Sequence, residues 1–385
     1  MFNIVEVKHT MKIAVNTRLL LPNKLEGIGW FMYETLQRIT TQHPEHEFVF
    51  IFDRPYSSEF VFAPNVTPIV IGPPARHPLL FYAWFEFSVA YIIKKHKCDL
   101  FLSPDGYLSL RSNVKQLAVI HDLCFVHYPK DIKWVYRKYL HCFFPRFARK
   151  ATRIATVSEY SKHDINKQYQ IPLHKIDVVH NGVNENFKPL TLTEQLTVKQ
   201  QYTQGNDYFL YVGALHPRKN LGRLLQAFDV FVSKSNSATQ LIIVGEKQWW
   251  NKHLQRTYDT MLHKKKVLFA GRLSTEELNK VLASALALTY IPYFEGFGIP
   301  ILEGFKCQTP VITSNITSMP EVAGDAALLI NPMEIHEIVA AMFSVYKNPE
   351  LRITLINKGT QRLNEFSWQK SANLLWQSIV KTVAN

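Results

Sequence analysis

The chain alternates short runs of apolar residues with longer segments in which apolar residues recur every three or four positions. The short runs are bounded by turn residues, which is typical of strands buried on both faces of a parallel sheet. They predict strands at Lys12–Asn16, Phe48–Phe52, Thr67–Ile71, Asp99–Leu102, Gln116–Ile120 and Arg153–Val157, and then at Tyr208–Val212, Gln240–Val244, Val267–Ala270, Leu286–Tyr290 and Pro310–Thr313.

The longer segments predict helices between these strands. The clearest are Trp30–Ile39, Asn220–Val232, Ser274–Ala283 and Trp368–Val380. Repeated β-α units with right-handed crossovers build parallel sheets. The sequence therefore predicts an α/β fold with two Rossmann-like, doubly wound domains that face a cleft.

A polar stretch rich in Thr and Gln, at residues 186–205, marks the expected division between the two domains. We expect an N-terminal domain over residues 1–186 and a C-terminal domain over residues 187–366. The last helix, at about 367–385, fits either half and could pack back on the first domain. The 385 residues suffice for two domains of ordinary size.

The formal net charge of +13 favours polyanionic partners, among them anionic lipid and phosphorylated ligands. No nucleic-acid recognition motif accompanies the charge, so no nucleic-acid partner is expected. The four cysteines form no CxxC pair and no zinc-like spacing with histidine. We therefore expect no metal site and reduced thiols, as in a cytoplasmic protein.

The N-terminus has no apolar leader segment, and the run from Met11 resembles a more natural start, so residues 1–10 are interpreted as an extension. The apolar stretch Leu79–Ile93 is too short to span a membrane and predicts a buried or interfacial helix. A basic, aromatic segment at Lys133–Arg153 leaves two alternatives open. It could lie on an anionic membrane, or it could pack on the sheet with a solvated basic face.

Among the motifs, the most informative is Glu295-Gly296-Phe297-Gly298-Ile299-Pro300, with Glu303 after it. The glycines let the backbone approach a ligand, and Pro300 suits the first turn of a helix. Glu295 then lies in the loop and Glu303 in the helix. Two carboxylates in this arrangement can bind two parts of one polyhydroxyl ligand.

A second motif runs from Gly213 to Asn220 and carries Arg218 and Lys219 where a helix is expected to open. Cations at a helix N-terminus oppose the helix dipole. A bound diphosphate would resolve that conflict, because it brings negative charge to the helix amides and to both side chains.

Two weaker features occur in the first half. Gly27-Ile28-Gly29 resembles a phosphate-approach loop but lacks the full GxGxxG pattern. His121 follows a predicted strand and could hydrogen-bond a sugar hydroxyl, although in isolation a structural histidine is the better interpretation.

Taken together, these motifs resemble the family 4 retaining glycosyltransferases of the GT-B fold, over nearly the whole chain from Met11. The pieces that carry the resemblance are GIG at 27–29, SPDGY at 103–107, HDL at 121–123, TVSEYSK at 156–162, HNGV at 180–183, PRKN at 217–220, GRLS at 271–274, the Glu295/Glu303 pair and PEVAGDAALLINP at 320–332. The pattern is most similar to that of bacterial surface-polysaccharide enzymes, many of them mannosyltransferases.

The resemblance implies a role for each site residue. Arg218 and Lys219 would hold the leaving diphosphate, which Gly29 would approach, and Glu303 would bond the ribose. Glu295 and His121 would lie beside the sugar. The remaining nucleotide-sugar contacts would come from Gly27, Gly213, Arg272, Leu273, Phe297, Gly298 and Ile299.

The expected function is transfer of a hexose, mannose as the first choice, from a nucleotide diphosphate sugar to a glycan or lipid-linked acceptor. No cofactor and no metal would be needed. The enzyme would be cytoplasmic, with a peripheral position at the membrane left open. Two alternatives are a sugar-nucleotide epimerase or hydrolase of the same fold and a non-catalytic sugar-nucleotide-binding scaffold.

Overall fold

The computed structural model describes residues 10–22 and 24–384. Most of the interpreted N-terminal extension, residues 1–9, lies outside the described residues. The chain forms two compact units, of which the second is Gly182–Ser367 and the first comprises the chain up to Asn181 and from Trp368 onward. The division thus comes a few residues before the expected end of the first domain.

The first unit contains a seven-stranded parallel sheet in the order β3-β2-β1-β4-β5-β6-β7. From β1 the sheet is extended first on one side, by β2 and β3, and then on the other side, by β4 and the strands after it. The strands β1 and β4 pair in parallel. Its strands are β1 Lys12–Asn16, β2 Glu47–Phe52, β3 Val66–Val70, β4 Leu100–Ser103, β5 Lys115–Val119, β6 Arg153–Thr156 and β7 Ile176–Val178. Its helices before the domain division are α1 Gly27–Gln42, α2 Pro78–Ala83, α3 Ala90–Lys95, α4 Cys124–His127, α5 Trp134–Lys150 and α6 Glu159–Tyr169.

The second unit repeats this design with a six-stranded parallel sheet in the order β10-β9-β8-β11-β12-β13. Its strands are β8 Tyr208–Val212, β9 Gln240–Val244, β10 Val267–Gly271, β11 Ala287–Tyr290, β12 Val311–Ser314 and β13 Leu328–Ile330. Its helices are α7 Leu192–Thr203, α8 Leu221–Ser235, α9 Lys252–Asp259, α10 Thr275–Ala283, α11 Ile299–Lys306, α12 Met319–Ala323, α13 Ile335–Lys347 and α14 Pro349–Arg362. The two sheets confirm the predicted doubly wound α/β class.

The last helix, α15 Trp368–Ala384, belongs to the first unit. Its inner face buries Leu375 and Ile379, and the ring of Trp368 meets Phe31 of α1 edge-on at 6.4 Å between centroids. The hydroxyl of Ser371 donates a hydrogen bond to the carbonyl of His180. Long-range packing of this kind leaves no local signal, which is why the sequence pattern left the assignment open.

The prediction of a loop at Gly27–Gly29 is wrong. Helix α1 begins at Gly27 rather than at Trp30, so Gly27 and Gly29 lie in its first turn and not in a loop before it. Two glycines suggested a turn, but neither has a positive φ angle here, and glycine is compatible with helical backbone at a modest cost. The strands β7 and β13 were not predicted, since each has only three residues.

The apolar stretch that the sequence singled out forms one helical run, composed of α2, a π-helical segment Trp84–Val89, and α3. Its inward side is core, with Trp84, Phe85 and Val89 fully buried. The buried carboxylate of Glu86 accepts the backbone N–H groups of Leu110 and Arg111, each at 2.9 Å. Within the described residues, no helix is both long and apolar enough to cross a bilayer.

The basic, aromatic segment is mostly helix α5. Tyr139, Phe144 and Phe147 face the core and are buried, while the cations lie on the outer side. Arg153 lies beyond the helix on β6 and pairs with Asp177 at 2.8 Å. Helix α5 therefore packs on the core of the first unit with its basic side outward, and a contact of this side with a membrane stays a prediction.

Candidate active site

The carboxyl edge of the second sheet has a topological switch point between β8 and β11. The two strands pair in parallel. On the far side of β8 lies β9, and on the far side of β11 lies β12, so the chain extends the sheet in opposite directions from this pair. Ligands of open α/β sheets bind outside the strand ends at such points. The loops that follow these two strands, residues 213–220 and 291–298, are the two loops that carry the strongest sequence motifs.

The first of these loops ends in a tight turn and not in the helix itself. Pro217–Lys219 forms a single 3-10 turn, and Asn220 adopts a left-handed conformation with φ of 63° before α8 begins at Leu221. Asparagine tolerates this conformation better than most residues. Its side-chain amide donates to the carbonyls of Ile291 (3.2 Å) and Pro332 (2.7 Å), which ties the turn to the second loop.

The two cations lie where the sequence placed them, directly before a helix. Arg218 and Lys219 belong to the 3-10 turn, and the left-handed Asn220 separates them from α8. The carbonyl of Arg218 accepts the backbone N–H of Tyr293 at 2.9 Å, which joins the turn to the second loop.

The cations share a partner within the protein. Arg218 and Lys219 both form ion pairs with the carboxylate of Glu295, Lys219 at 2.6 Å. Lys219 also donates to the hydroxyl of Tyr290 at 2.8 Å. A diphosphate is thus not needed to reconcile the two cations with their surroundings, and that step of the sequence argument is wrong.

Burial and charge act against each other on Glu295. Its side chain is buried, which by itself raises the pKa of the carboxyl, but Arg218 and Lys219 outweigh burial and hold the pKa below its usual range. Burial beside Glu295 raises the pKa of Tyr290 well above its ordinary value. At neutral pH the cluster therefore contains an ionised carboxylate, two cations and a neutral phenol.

The glycine-rich loop between β11 and α11 is shaped by close packing. Gly298 has φ of 104°, and a Cβ atom there would lie 2.8 Å from Cε of Met319. The hydroxyl of Ser318 donates to the carbonyls of Glu295 (2.9 Å) and Phe297 (3.1 Å). The loop can therefore present its backbone to a ligand only with glycine at this position.

Glu303 lies in α11, as predicted, and Glu295 lies in the loop before it. Glu303 is partly buried, and burial raises the pKa of its carboxyl to about 7 against the opposing effect of Lys219. Within the described residues, no hydrogen bond to this carboxylate is observed. A carboxylate that can still accept hydrogen bonds, beside the loops at the carboxyl edge of the sheet, is suited to bind hydroxyl groups of a ligand.

We expect the Glu303→Gln variant to be more stable than the wild type at pH 8. Because the folded-state pKa of about 7 lies above the ordinary value of 4.5, the stability that Glu303 contributes is complete below pH 4.5 and is lost as pH rises through 7. The gain at pH 8 should reach about 3 kcal/mol at most, and it should vanish near pH 4. Urea unfolding at both pH values measures it.

The control for this prediction is Glu350→Gln, at an exposed position on α14. It should change stability little at either pH. Equal effects of the two variants at pH 8 would show that burial does not penalise the ionised form of Glu303.

The remaining predicted residues of this unit lie at the same edge of the sheet. Gly213 follows β8 with φ of 141°. Arg272 and Leu273 follow β10, where Arg272 is exposed and its guanidinium lies 3.9 Å from the carboxylate of Glu246. Ile299 begins α11.

Three predicted site residues lie in the first unit. Gly27 and Gly29 open α1, which follows β1, and a Cβ atom on Gly29 would be 3.2 Å from the carbonyl oxygen of Leu19. His121 follows β5; its Nε2 bonds the carbonyl of Pro104 at 2.9 Å, and burial lowers the pKa of the imidazole. The neutral ring thus donates from Nε2 and keeps Nδ1 as an acceptor.

Sequence reasoning missed several residues that shape the site. Tyr290 was predicted as the end of a strand without its contact to Lys219, and Ser318 carried no recognisable motif. Asn220 was quoted within a motif but was given no role, although an asparagine between a basic turn and a helix is a usable signal of left-handed backbone. Within the described residues, no group of three or more His, Cys, Asp or Glu side chains could hold a metal ion.

Comparisons with known proteins match both halves of the chain to glycosyltransferase families. Residues 26–187 match the family described as Glycosyltransferase Family 4, and residues 193–362 match Glycosyl transferases group 1. The O-antigen chain mannosyltransferase B of Escherichia coli is 29% identical over 302 residues, which are 76% of this chain and 78% of that protein. The O-antigen chain mannosyltransferase RfbU of Salmonella typhimurium is 28% identical over 291 residues, 75% of this chain and 77% of that protein.

Solved structures share the fold. The sucrose-phosphate synthase of Thermosynechococcus elongatus has a TM-score of 0.77 at 17% identity, covering 97% of this chain and 99% of that one. HepE of Anabaena, solved in complex with UDP and glucose, has a TM-score of 0.75 at 15% identity, covering 96% of this chain and 100% of that one. The chain therefore belongs to the glycosyltransferases of the GT-B fold, with a family 4 domain in its first half and a group 1 domain in its second.

Proposed function

We propose that this glycosyltransferase is a retaining enzyme that moves a mannosyl residue from GDP-mannose to a hydroxyl of a glycan or lipid-linked acceptor in the synthesis of a surface polysaccharide. The relatives named O-antigen chain mannosyltransferases support the sugar and the pathway class. The observation that carries the proposal is the pair Arg218 and Lys219 at the switch point, both of which form ion pairs with Glu295.

In this proposal the diphosphate of the donor binds where the two cations meet. Both cations already hold the carboxylate of Glu295 there, and two cations in one loop attract a dianionic group. Binding of the diphosphate would also weaken the hold of the cations on the Glu295 carboxylate. That carboxylate would then be available to accept hydrogen bonds from hydroxyls of the donor sugar.

The two cations also fit the chemistry of transfer. As the bond between the sugar and the diphosphate breaks, negative charge grows on the departing oxygen, so Arg218 and Lys219 stabilise the transition state more than the ground state. The acceptor hydroxyl attacks on the face from which the diphosphate leaves, and the departing phosphate oxygen takes its proton. Cations in the protein take the part that a metal ion plays elsewhere, so we expect turnover without a metal.

The other contacts follow the family resemblance. Glu303, with its unused acceptor capacity, would bond the ribose hydroxyls, and Arg272 with Leu273 would lie beside the base. The resemblance assigns the diphosphate to Gly29 and the sugar to His121, whose Nδ1 can accept from a hydroxyl. The neutral imidazole suits this, because an imidazolium has no acceptor nitrogen.

Donor binding can be tested by thermal unfolding in the presence of different nucleotide sugars. A ligand that binds only the native state raises the unfolding temperature by mass action. We expect GDP-mannose to protect the protein in buffer containing EDTA, and to do so better than UDP-glucose. Protection by UDP-glucose alone would overturn the choice of donor.

Product analysis then tests the reaction. With GDP-mannose and an acceptor glycan in EDTA, we expect an α-linked mannoside by NMR, the same anomeric configuration as in the donor. A β-linked product would exclude retention. Release of free mannose at equal rates with and without acceptor would indicate a hydrolase instead.

A further inference from the structure

The last residue of β11 is a buried tyrosine whose hydroxyl lies inside the charged cluster of the site. Tyr290 is 1% exposed, so its hydroxyl is shielded from solvent. The ammonium of Lys219 donates a hydrogen bond to this hydroxyl at 2.8 Å, and within the part of the chain that the structure describes the hydroxyl makes no other hydrogen bond. Buried hydroxyls normally have a hydrogen-bond partner. The partner of this one is a side chain that the proposed reaction uses.

The same ammonium is held by two further contacts. Nζ of Lys219 lies 4.9 Å from the ring centre of Tyr290, within the range of a cation–π interaction, and 2.6 Å from the carboxylate of Glu295. A lysine ammonium is a compact charge at the end of a flexible chain, so its position depends on contacts of this kind. The hydroxyl, the ring and the carboxylate together therefore fix where the charge lies.

The backbone holds the tyrosine against the turn that carries Lys219. Strand β11 is paired with β12 up to Tyr290, so the tyrosine belongs to the sheet and not to the loop after it. The side-chain amide of Asn220, directly after Lys219, donates at 3.2 Å to the carbonyl of Ile291, directly after Tyr290. This bond joins the two segments one residue beyond the side-chain contact, so the hydroxyl meets the ammonium from a rigid support.

The hydroxyl binds the ammonium without neutralising it. Burial, together with the negative charge of Glu295, raises the pKa of Tyr290 well above its ordinary value, so the phenol is uncharged at neutral pH. A carboxylate in its place would bring a second negative charge to Lys219 and would oppose the binding of an anion. The tyrosine thus orients the cation and adds no charge that competes with a ligand.

We propose that Tyr290 is a positioning residue of the transfer reaction, whose hydroxyl holds the Lys219 ammonium where the leaving diphosphate gains negative charge. This role rests on the proposed function, which assigns the diphosphate to Lys219. A donor that is in place before the bond breaks needs no reorganisation as the charge develops, and this favours the transition state over the ground state. Without the hydroxyl, the ammonium would keep its charge but would sample other positions.

Transfer rates of the Tyr290→Phe variant test this role. The substitution removes one oxygen atom and keeps the ring with its contact to the ammonium. With GDP-mannose at saturation, kcat should fall about tenfold, the typical effect of losing one hydrogen bond to a charged group, while the Michaelis constant for the donor should change less. A loss of stability would instead lower the unfolding temperature and leave the kcat of the folded protein unchanged.

The matched control is Tyr208→Phe. Tyr208 begins β8 and is as fully buried as Tyr290, and its hydroxyl donates to the carbonyl of Val281 at 2.6 Å, at the end of the strand away from the loops of the site. This variant loses the same atom from a hydrogen bond in which no charged group takes part. Its kcat should stay at the wild-type value, whatever the change in unfolding temperature. An equal fall of kcat in both variants would overturn the proposal.

A double-mutant cycle with Lys219→Ala separates positioning from other roles. Because the hydroxyl acts through the ammonium, adding Tyr290→Phe to Lys219→Ala should change kcat by less than about twofold. An equal loss in both backgrounds would show that the hydroxyl contacts the ligand or supports the loop, and would overturn the proposal. Wild-type kcat in Tyr290→Phe beside an impaired Lys219→Ala would overturn it too. Wild-type kcat in Lys219→Ala would instead overturn the diphosphate site itself, and the role of Tyr290 with it.

Discussion

Replacing either cation of the site, as Arg218→Ala or Lys219→Ala, is expected to lower kcat by on the order of 100-fold or more. Each side chain lies within reach of the Glu295 carboxylate at the switch point, where negative charge would develop on the leaving diphosphate. Loss of a preorganised donor at such a place acts on the transition state, so kcat should fall more than the affinity for the donor. Initial rates of sugar transfer at saturating donor measure the effect.

An effect of these variants on catalysis must be separated from an effect on protein stability. Lys219→Ala leaves the buried carboxylate of Glu295 with one cation instead of two, so thermal unfolding must be recorded alongside the rates. Arg256→Ala on α9 and Lys234→Ala on α8, both at exposed positions, are the matched controls and should keep normal rates. Near-normal turnover in a folded Arg218→Ala and a folded Lys219→Ala would refute the proposed diphosphate site.

A second large effect is expected from Gly245→Ala, which should destabilise the second unit by at least about 3 kcal/mol. Gly245 directly follows β9 with φ of 155°, and a Cβ atom there would lie 2.0 Å from the backbone carbonyl oxygen of Gly213. Neither backbone can move freely, because the N–H of Gly213 donates to Val244 at 3.0 Å and that of Gly245 to Gly271 at 2.8 Å. The loop with Arg218 and Lys219 begins at Gly213, so transfer activity should fall together with stability.

Gly222→Ala provides the matched control for this substitution. Gly222 is the second residue of α8, and a Cβ atom there would make only an ordinary contact of 3.8 Å with Leu254. Alanine is the better helix former by roughly 0.5–1 kcal/mol, so this variant should unfold at a slightly higher temperature. A Gly245→Ala protein that unfolds like the wild type would show that the two strand ends can separate without cost.

The strands of the fold were largely predictable from the sequence, and the reason is visible in their burial. Tyr208–Val212 and Gln240–Val244 were predicted with the bounds that the structure has, because strands covered on both faces are apolar at nearly every position. Edges were harder. Three-residue strands such as Ile176–Val178 and Leu328–Ile330 are too short for a periodic signal.

The site was predictable where a motif combined glycine with charged residues in one loop. The placement of Glu295 before α11 and of Glu303 within it followed from Pro300 and the helical rise. The pairing of Glu295 with Arg218 and Lys219 did not follow, since 77 positions separate Arg218 from Glu295 along the chain. Only the parallel pairing of β8 with β11 brings the two loops side by side.

By itself, the sequence determined the alternation of strands and helices, the two-unit α/β class and the residue types available for an anionic, polyhydroxyl ligand. These depend on local composition and on periodicity, which the chain carries at every position. Tertiary structure alone decided that Glu295 pairs with both cations, that the last helix returns to the first unit, and which side of Pro78–Lys95 faces solvent. Each of these is settled by contacts between distant segments, whose energies depend on three-dimensional packing and not on neighbours in the chain.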